Sequence, residues 1–97
     1  MPSIFSKLLY FFKSPKIIPN VLVLSKIDCH LCDEAIDTIL KVKSKHKFNL
    51  EIIKINIGDN WYESYWDKIP VIFIHKRLAF KYRLTENEFI KKLNAKY

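Results

Sequence analysis

The stretch VLVLSKIDCHLCDEAIDTIL, residues 21–40, decides the fold of this chain. Its first part, Val21–Leu24, is a short uninterrupted apolar run, which predicts a strand buried on both faces. From Cys29 onward a 3.6-residue period predicts a helix that ends at about Lys43. One face of this helix is expected to enter the core, with Cys32, Ala35, Ile36, Ile39 and Leu40. A Cys-x-x-Cys pair therefore lies between the end of a buried strand and the first turn of a helix.

The position of the two cysteines has a chemical consequence. A thiolate at a helix N-terminus is stabilised by unpaired backbone N–H groups and the helix dipole, which lower the thiol pKa from about 8.5 into a range of roughly 3.5 to 7.5. We therefore expect Cys29 to be the attacking nucleophile. Cys32 follows one turn later on the apolar face and is expected to resolve a mixed disulfide on Cys29. The nearby carboxylates of Asp28, Asp33 and Glu34 oppose the stabilisation of a thiolate, so the two influences compete.

The next segments extend the pattern into a sheet. Residues 48–57 are rich in isoleucine and predict a second strand. A strand-helix-strand unit of this length gives two parallel strands joined by a right-handed crossover. Asp59 or Asn60 is then expected to cap a short helix that covers one face of the sheet with aromatic side chains. Those side chains are Trp61, Tyr62, Tyr65 and Trp66.

The last third of the chain predicts a hairpin and a closing helix. Residues 69–74 form an apolar run introduced by proline, which is tolerated at the start of a strand, and residues 78–82 follow after a tight turn. The two runs are expected to pair in antiparallel fashion. Thr85 with Glu88 three residues later makes a capping box for the final helix. The predicted order of elements is β-α-β-α-β-β-α.

Composition limits the classes of function. The chain has 97 residues, of which 49% are hydrophobic and 28% charged, which suits one domain with its own core. Its apolar runs fall far short of the roughly 18 residues of a membrane span, so we expect no transmembrane segment. The formal net charge is +7, but 15 of the 17 basic residues are lysines. Because Arg is the preferred residue for reading bases and phosphates, we expect no nucleic-acid partner.

Residues 1–19 differ from the rest and are expected to be a basic amphipathic leader or arm before a domain over residues 20–97. The segment holds three lysines, three prolines and no acidic residue. Its apolar side chains recur at helical spacing, namely Ile4, Phe5, Leu8, Leu9 and Phe12. The pattern resembles a mitochondrial targeting peptide without the usual Arg, so a mitochondrial or cytoplasmic location is expected. The alternative is an extra helix that packs on the domain or lies on a membrane surface.

Cys-x-x-Cys pairs also occur in zinc sites. A structural zinc ion needs four ligands, and beyond the two cysteines only His30, His46 and His75 remain, at none of the usual spacings. We therefore expect no metal. A purely structural pair is disfavoured as well, because a disulfide that closes so short a loop adds little stability.

Together these features make the chain resemble the glutaredoxins of the thioredoxin-fold superfamily over about residues 20–95. The features that carry the resemblance are Leu24-Ser25-Lys26, Cys29-x-x-Cys32 at a helix start, and Ile69-Pro70 before a hairpin. Three strings are similar to a small group of glutaredoxin-like proteins that includes mitochondrial forms: Leu31–Ala35, Trp61–Glu63 and Ile69–Val71. The resemblance implies a thioredoxin-like α/β fold, with a four-stranded mixed sheet and three flanking helices.

The resemblance also implies roles for residues around the cysteines. Lys26 matches a lysine that binds a carboxylate of glutathione. Pro70 matches a proline with a cis peptide bond beside the redox pair, and the backbone of Ile69 is expected to pair with an extended substrate like one more strand. His30, between the cysteines, completes the expected substrate-binding set and, when protonated, would favour the thiolate of Cys29. The alternative for His30 is an exposed turn residue.

One part of the glutaredoxin pattern is absent from the sequence. Glutaredoxins usually carry Gly-Gly and an acidic residue before the last helix, where they hold the γ-glutamyl end of glutathione. The corresponding stretch here, Lys81–Thr85, contains no glycine. Thr85 and the free N–H groups of the last helix are then the candidates for binding a carboxylate. The missing motif counts against this part of a glutathione site, so glutathione as a co-substrate remains what the rest of the resemblance implies, and no tightly bound cofactor is expected.

The expected function is that of a glutaredoxin-like thiol-disulfide oxidoreductase that cycles Cys29 and Cys32 between dithiol and disulfide. It would act as a monomer on a disulfide-containing protein or on glutathione. The alternative is a non-catalytic protein-binding module that keeps the fold and uses the groove around Pro70. An iron-sulfur role ranks third, because such sites normally go with a single active-site cysteine and an intact glutathione site.

Overall fold

A computed structural model of the chain describes residues 18–95. The order of elements is the predicted one, β-α-β-α-β-β-α. The strands are β1 (Asn20–Ser25), β2 (Asn49–Lys54), β3 (Val71–Ile74) and β4 (Arg77–Lys81), and the helices are α1 (His30–Lys43), α2 (Tyr62–Tyr65) and α3 (Glu86–Asn94).

The four strands form one mixed sheet in the order β2-β1-β3-β4. The strands β1 and β2 are parallel, as the strand-helix-strand unit predicts, while β3 runs antiparallel to both β1 and β4. In the middle of the sheet Leu24 is paired with Ile53 on one side and with Val71 on the other. Because β1 is largely buried and paired on both sides, it fixes the position of the loop that follows its carboxyl end.

The two faces of the sheet carry separate apolar clusters. Side chains of α1 and α3 pack on the face that holds Val21 and Val23, and the rings of Phe48 and Phe89 meet edge to face there with centroids 5.5 Å apart. The other face carries Leu24 and Val71 among its buried residues. Partly buried aromatic side chains of and beside α2 pack against it, namely Trp61, Tyr62 and Tyr65. The aromatic helix thus packs on one sheet face, as predicted, but Trp66, which was expected among the covering side chains, is 52% exposed.

The buried face of α1 differs from the predicted one. Ile39 and Val42 are buried, whereas Leu40, expected in the core, is 49% exposed. At about 100° per residue, the buried positions 32, 35, 39 and 42 form one stripe, and Leu40 lies about 120° from its centre. The prediction for Leu40 was therefore wrong, and Val42 takes the core position.

Of the two predicted side-chain caps, the one at α3 is confirmed and the one at α2 is not. At α3, Thr85 Oγ1 accepts a hydrogen bond from Glu88 N at 3.2 Å and donates one to Glu88 Oε1 at 3.1 Å, so the predicted cap is present. At α2 the N-cap residue is Trp61, which makes no side-chain cap. The carboxylate of Asp59 instead accepts from Asn56 N at 2.8 Å. The predicted capping of α2 by Asp59 or Asn60 was therefore wrong.

The predicted leader or arm falls almost wholly on residues 1–17, which lie outside the described residues. Within residues 18–95, no helix has both the length and the apolar character needed to cross a membrane.

Candidate active site

The site begins where β1 ends and the chain turns into α1. Asp28 has a φ of 54°, and this left-handed residue brings the chain round to the helix. Cys29 is the N-cap of α1, with extended backbone angles. Its Sγ accepts a hydrogen bond from Cys32 N at 3.2 Å, and its carbonyl accepts one from Asp33 N at 3.1 Å. One of the free N–H groups of the helix start is therefore directed at the sulfur of Cys29.

The two cysteines have different surroundings although they are joined by a disulfide. Their Cα atoms are 5.2 Å apart, one helical turn along α1. Cys32 is wholly buried in the apolar cluster with Leu24 and Val71, whereas Cys29 is only partly buried. The structure thus represents the oxidised pair, with Cys29 partly exposed and Cys32 enclosed.

The Ile69–Pro70 segment lies beside this pair. The peptide bond between the two residues is cis, as the resemblance implied. Ile69 belongs to the same apolar cluster as Cys32, and the carbonyl of Pro70 accepts a hydrogen bond from Tyr82 N at 2.8 Å. Among the described residues, the backbone N–H and C=O of Ile69 have no hydrogen-bond partner. The structure therefore brings a free pair of backbone groups to the neighbourhood of the cysteines.

The other two predicted substrate-binding residues are both at the surface. Lys26 is exposed directly after β1. His30 is the first residue of α1, with 85% of its side chain exposed, and its Nε2 lies 2.9 Å from Oε2 of Glu34. This pair has the i,i+4 spacing of neighbours on one helix face. The spacing is already present in the sequence, where Glu34 was expected to act on the Cys29 thiolate.

A groove lies between α1 and the loop before α3. Its volume is about 340 Å³, and α1 lines it with Leu31, Glu34, Ala35 and Thr38, while Tyr82–Thr85 and Glu88 line the other side. In the sequence resemblance, this loop corresponds to the Gly-Gly segment of glutaredoxins. Tyr82 has a φ of 69°, in the left-handed region that favours glycine. The backbone shape expected of a glycine is therefore present at a tyrosine.

An ion pair between Lys68 and Asp67 lies just before Ile69. The hydrogen bond from Lys68 to Asp67, with Nζ and Oδ1 3.0 Å apart, lowers the pKa of the Asp67 carboxyl.

Over residues 18–95, His, Cys, Asp and Glu side chains form no cluster of three or more that could hold a metal ion.

Comparison with known proteins places this geometry in a family. The family described as glutaredoxin-like domain (DUF836) matches residues 20–94. The chain belongs to this glutaredoxin-like family. A match across the strand, the cysteine pair, Ile69–Pro70 and the closing helix agrees with the resemblance found in the motifs.

Two solved structures show the same fold as this glutaredoxin-like chain. The solution NMR structure of protein Ne2328 from Nitrosomonas europaea has a TM-score of 0.70 at 26% identity, covering 82% of this chain and 96% of that one. The X-ray structure of the structural genomics target XcR50 from X. campestris has a TM-score of 0.67 at 17% identity, covering 79% and 99%. These matches support the thioredoxin-like fold with its four-stranded mixed sheet and three helices.

Proposed function

We propose that this glutaredoxin-like protein is a thiol-disulfide oxidoreductase in which Cys29 attacks and Cys32 resolves. The observation that carries the proposal is that the two cysteines of the Cys29–Cys32 disulfide lie in different surroundings. Cys29 is partly exposed and its sulfur accepts an N–H from the start of α1, whereas Cys32 is enclosed in the core. A helix N-terminus favours a thiolate at the first position, and burial keeps the second sulfur from solvent.

The proposed cycle starts from the dithiol form. The Cys29 thiolate attacks one sulfur of a substrate disulfide, forms a mixed disulfide and expels the other substrate sulfur as a thiolate, which takes up a proton. Cys32 then loses its proton and attacks Cys29 Sγ, which releases the second substrate thiol and closes the Cys29–Cys32 disulfide. Two electrons pass to the substrate. An external dithiol, or two molecules of glutathione, returns them by the reverse steps.

Substrate positioning in this proposal uses the free backbone groups of Ile69. A polypeptide disulfide that lies extended along this residue can accept its N–H and donate to its C=O, as an added β-strand does. Lys26, exposed next to the cysteine loop, is proposed to attract a carboxylate of glutathione. His30, the first residue of α1, is proposed to contact the substrate. Its Nε2 lies 2.9 Å from Oε2 of Glu34.

Selective alkylation tests the assignment of the two roles. In the reduced full-length chain near pH 7, iodoacetamide is expected to modify Cys29 at least about tenfold faster than Cys32, because only Cys29 combines access with the helix start. Peptide mapping by mass spectrometry measures both rates. In denaturant the two rates should converge, which serves as the control. Equal rates in the folded chain, or faster modification of Cys32, would contradict the assignment and favour the protein-binding alternative.

A further inference from the structure

The most exposed large apolar side chains of residues 18–95 lie around the end of the sheet that carries the cysteines. They belong to Ile57, Ile27 and Trp66, which are 84%, 68% and 52% exposed. Ile27 follows β1 and Ile57 follows β2. Because these strands are parallel, both residues leave the sheet at the end where Cys29 caps α1. Trp66 ends α2 and lies three residues before Ile69.

The loops that carry the two isoleucines are adjacent. Ile55 N donates to the carbonyl of Ser25 at 2.8 Å, which continues the pairing of β1 with β2. Ile27 lies two residues beyond Ser25 and Ile57 two residues beyond Ile55, on strands about 4.8 Å apart. Ile27 also lies two residues before Cys29, so their Cα atoms are at most about 7 Å apart. We call Ile27, Ile57 and Trp66 the apolar border of the site.

A closed turn holds Ile57 in its exposed position. Asn56 N donates to Oδ2 of Asp59 at 2.8 Å, and Asp59 N donates to the carbonyl of Asn56 at 3.0 Å. Gly58, the only glycine of the chain, completes the turn with a φ of 97°. The loop that presents Ile57 is therefore held by hydrogen bonds of its own and not by burial of the isoleucine side chain.

We propose that the apolar border binds apolar side chains that flank the cysteine of a polypeptide disulfide. This inference rests on the proposed function and names its substrate class. A segment extended along the free backbone groups of Ile69 advances about 3.3 Å per residue, so side chains up to three residues from its cysteine lie within about 10 Å of the attacked sulfur. The border lies at comparable distances, since Trp66 is at most about 11 Å from Ile69 along the chain.

The border distinguishes such a polypeptide from glutathione. An apolar side chain that packs on Ile27, Ile57 or Trp66 leaves water together with the side chain that it covers, which favours binding in proportion to the buried area. Glutathione carries no apolar side chain besides its cysteine, so it gains nothing from this surface. The border therefore favours protein disulfides whose cysteines lie among apolar residues.

Two short peptides with a central cysteine test this proposal on the reduced full-length chain. Each carries its cysteine as a mixed disulfide with thionitrobenzoate, and the cysteine is flanked by leucines in one peptide and by serines in the other. Cys29 attacks the peptide sulfur and expels the coloured thionitrobenzoate anion, whose release gives the rate. The leucine peptide is expected to react about tenfold faster, because its side chains leave water at the border.

Replacement of both isoleucines tests whether the border causes this preference. In the Ile27→Ser, Ile57→Ser double variant the ratio of the two rates is expected to fall from about tenfold to about twofold. The matched control is Leu40→Ser, which removes a side chain that is 49% exposed in the last turns of α1 and should leave the ratio near tenfold. Circular dichroism checks that each variant is folded. Equal ratios in the two variants, or no preference in the unmodified chain, would overturn the proposal.

A binding measurement separates this proposal from the redox function. If the chain reacts with neither peptide, the proposed oxidoreductase activity fails. Fluorescence anisotropy of a labelled leucine peptide with serine in place of cysteine then still measures binding to the border. Binding that the double variant loses would support the border as a polypeptide site, and absence of binding would overturn it. A dimer of the unmodified chain that the double variant loses in sedimentation would also overturn it, because the border would then bind a second copy.

Discussion

The Cys32→Ser variant is expected to accumulate a mixed disulfide on Cys29 when it is incubated with oxidised glutathione. Cys29 remains able to attack, but the thiol that would release the adduct is gone, so the reaction stops half-way. Intact-mass and peptide mass spectrometry should locate the adduct on Cys29. Turnover that requires the dithiol should be lost, which makes this the largest functional effect expected of a single substitution.

The reciprocal variant supplies the matched control. Cys29→Ser leaves the buried thiol of Cys32 and is expected to form little adduct under the same conditions, because the wholly buried side chain is closed to the disulfide. Equal adduct formation by the two variants would refute the division of roles. If neither variant forms an adduct, the non-catalytic binding module becomes the better account.

A large loss of stability is expected of Ile39→Ala. Ile39 is wholly buried between α1 and the sheet, in the cluster that also holds Phe48 and Phe89. Removing its side chain forfeits buried apolar contacts and leaves a cavity, which costs about 2–5 kcal/mol in comparable core positions. A loss of that size is a large part of the roughly 5–15 kcal/mol that stabilises a small domain. Urea denaturation followed by circular dichroism measures it.

The neighbouring residue provides the comparison for this prediction. Leu40→Ala removes a side chain of the same size from the same helix, but Leu40 is 49% exposed. Its expected cost is below about 1 kcal/mol, because surface positions away from special features change stability little. Equal losses for the two variants would mean that the rotational position of α1 against the sheet is wrong.

The pair Ile39 and Leu40 also shows how far sequence patterns can define the core. Apolar runs, the helical period and the turn and capping signals were enough to predict every strand and helix in order. These patterns could not show which of two adjacent residues of equal size, Ile39 or Leu40, faces the sheet. Val42 stands among lysines and gave no sign of burial, yet the stripe through Ile39 carries it into the core. The final rotation of α1 is set by packing against the sheet and α3, which no local window contains.

The candidate site was predictable to the extent that short motifs carry it. The Cys-x-x-Cys spacing and the preceding strand were sufficient to place Cys29 at the start of α1, and Ile69-Pro70 was sufficient to indicate the segment beside it. The left-handed backbone at Tyr82 could not be predicted from the sequence, because tyrosine rarely adopts that conformation. There the closure of the loop between β4 and α3 overrides the preference of the residue.

The central claim is that Cys29 and Cys32 form a reversible redox couple, and titration of the full-length chain in glutathione buffers tests it most directly. After each equilibration, acid quenching and mass spectrometry count the free thiols. The account predicts one two-electron transition, a reversible loss of about 2 Da confined to the Cys29–Cys32 peptide, with glutathione adducts only as a minor species on Cys29. Two thiols that stay reduced across the whole range, or that take up glutathione independently of each other, would contradict it.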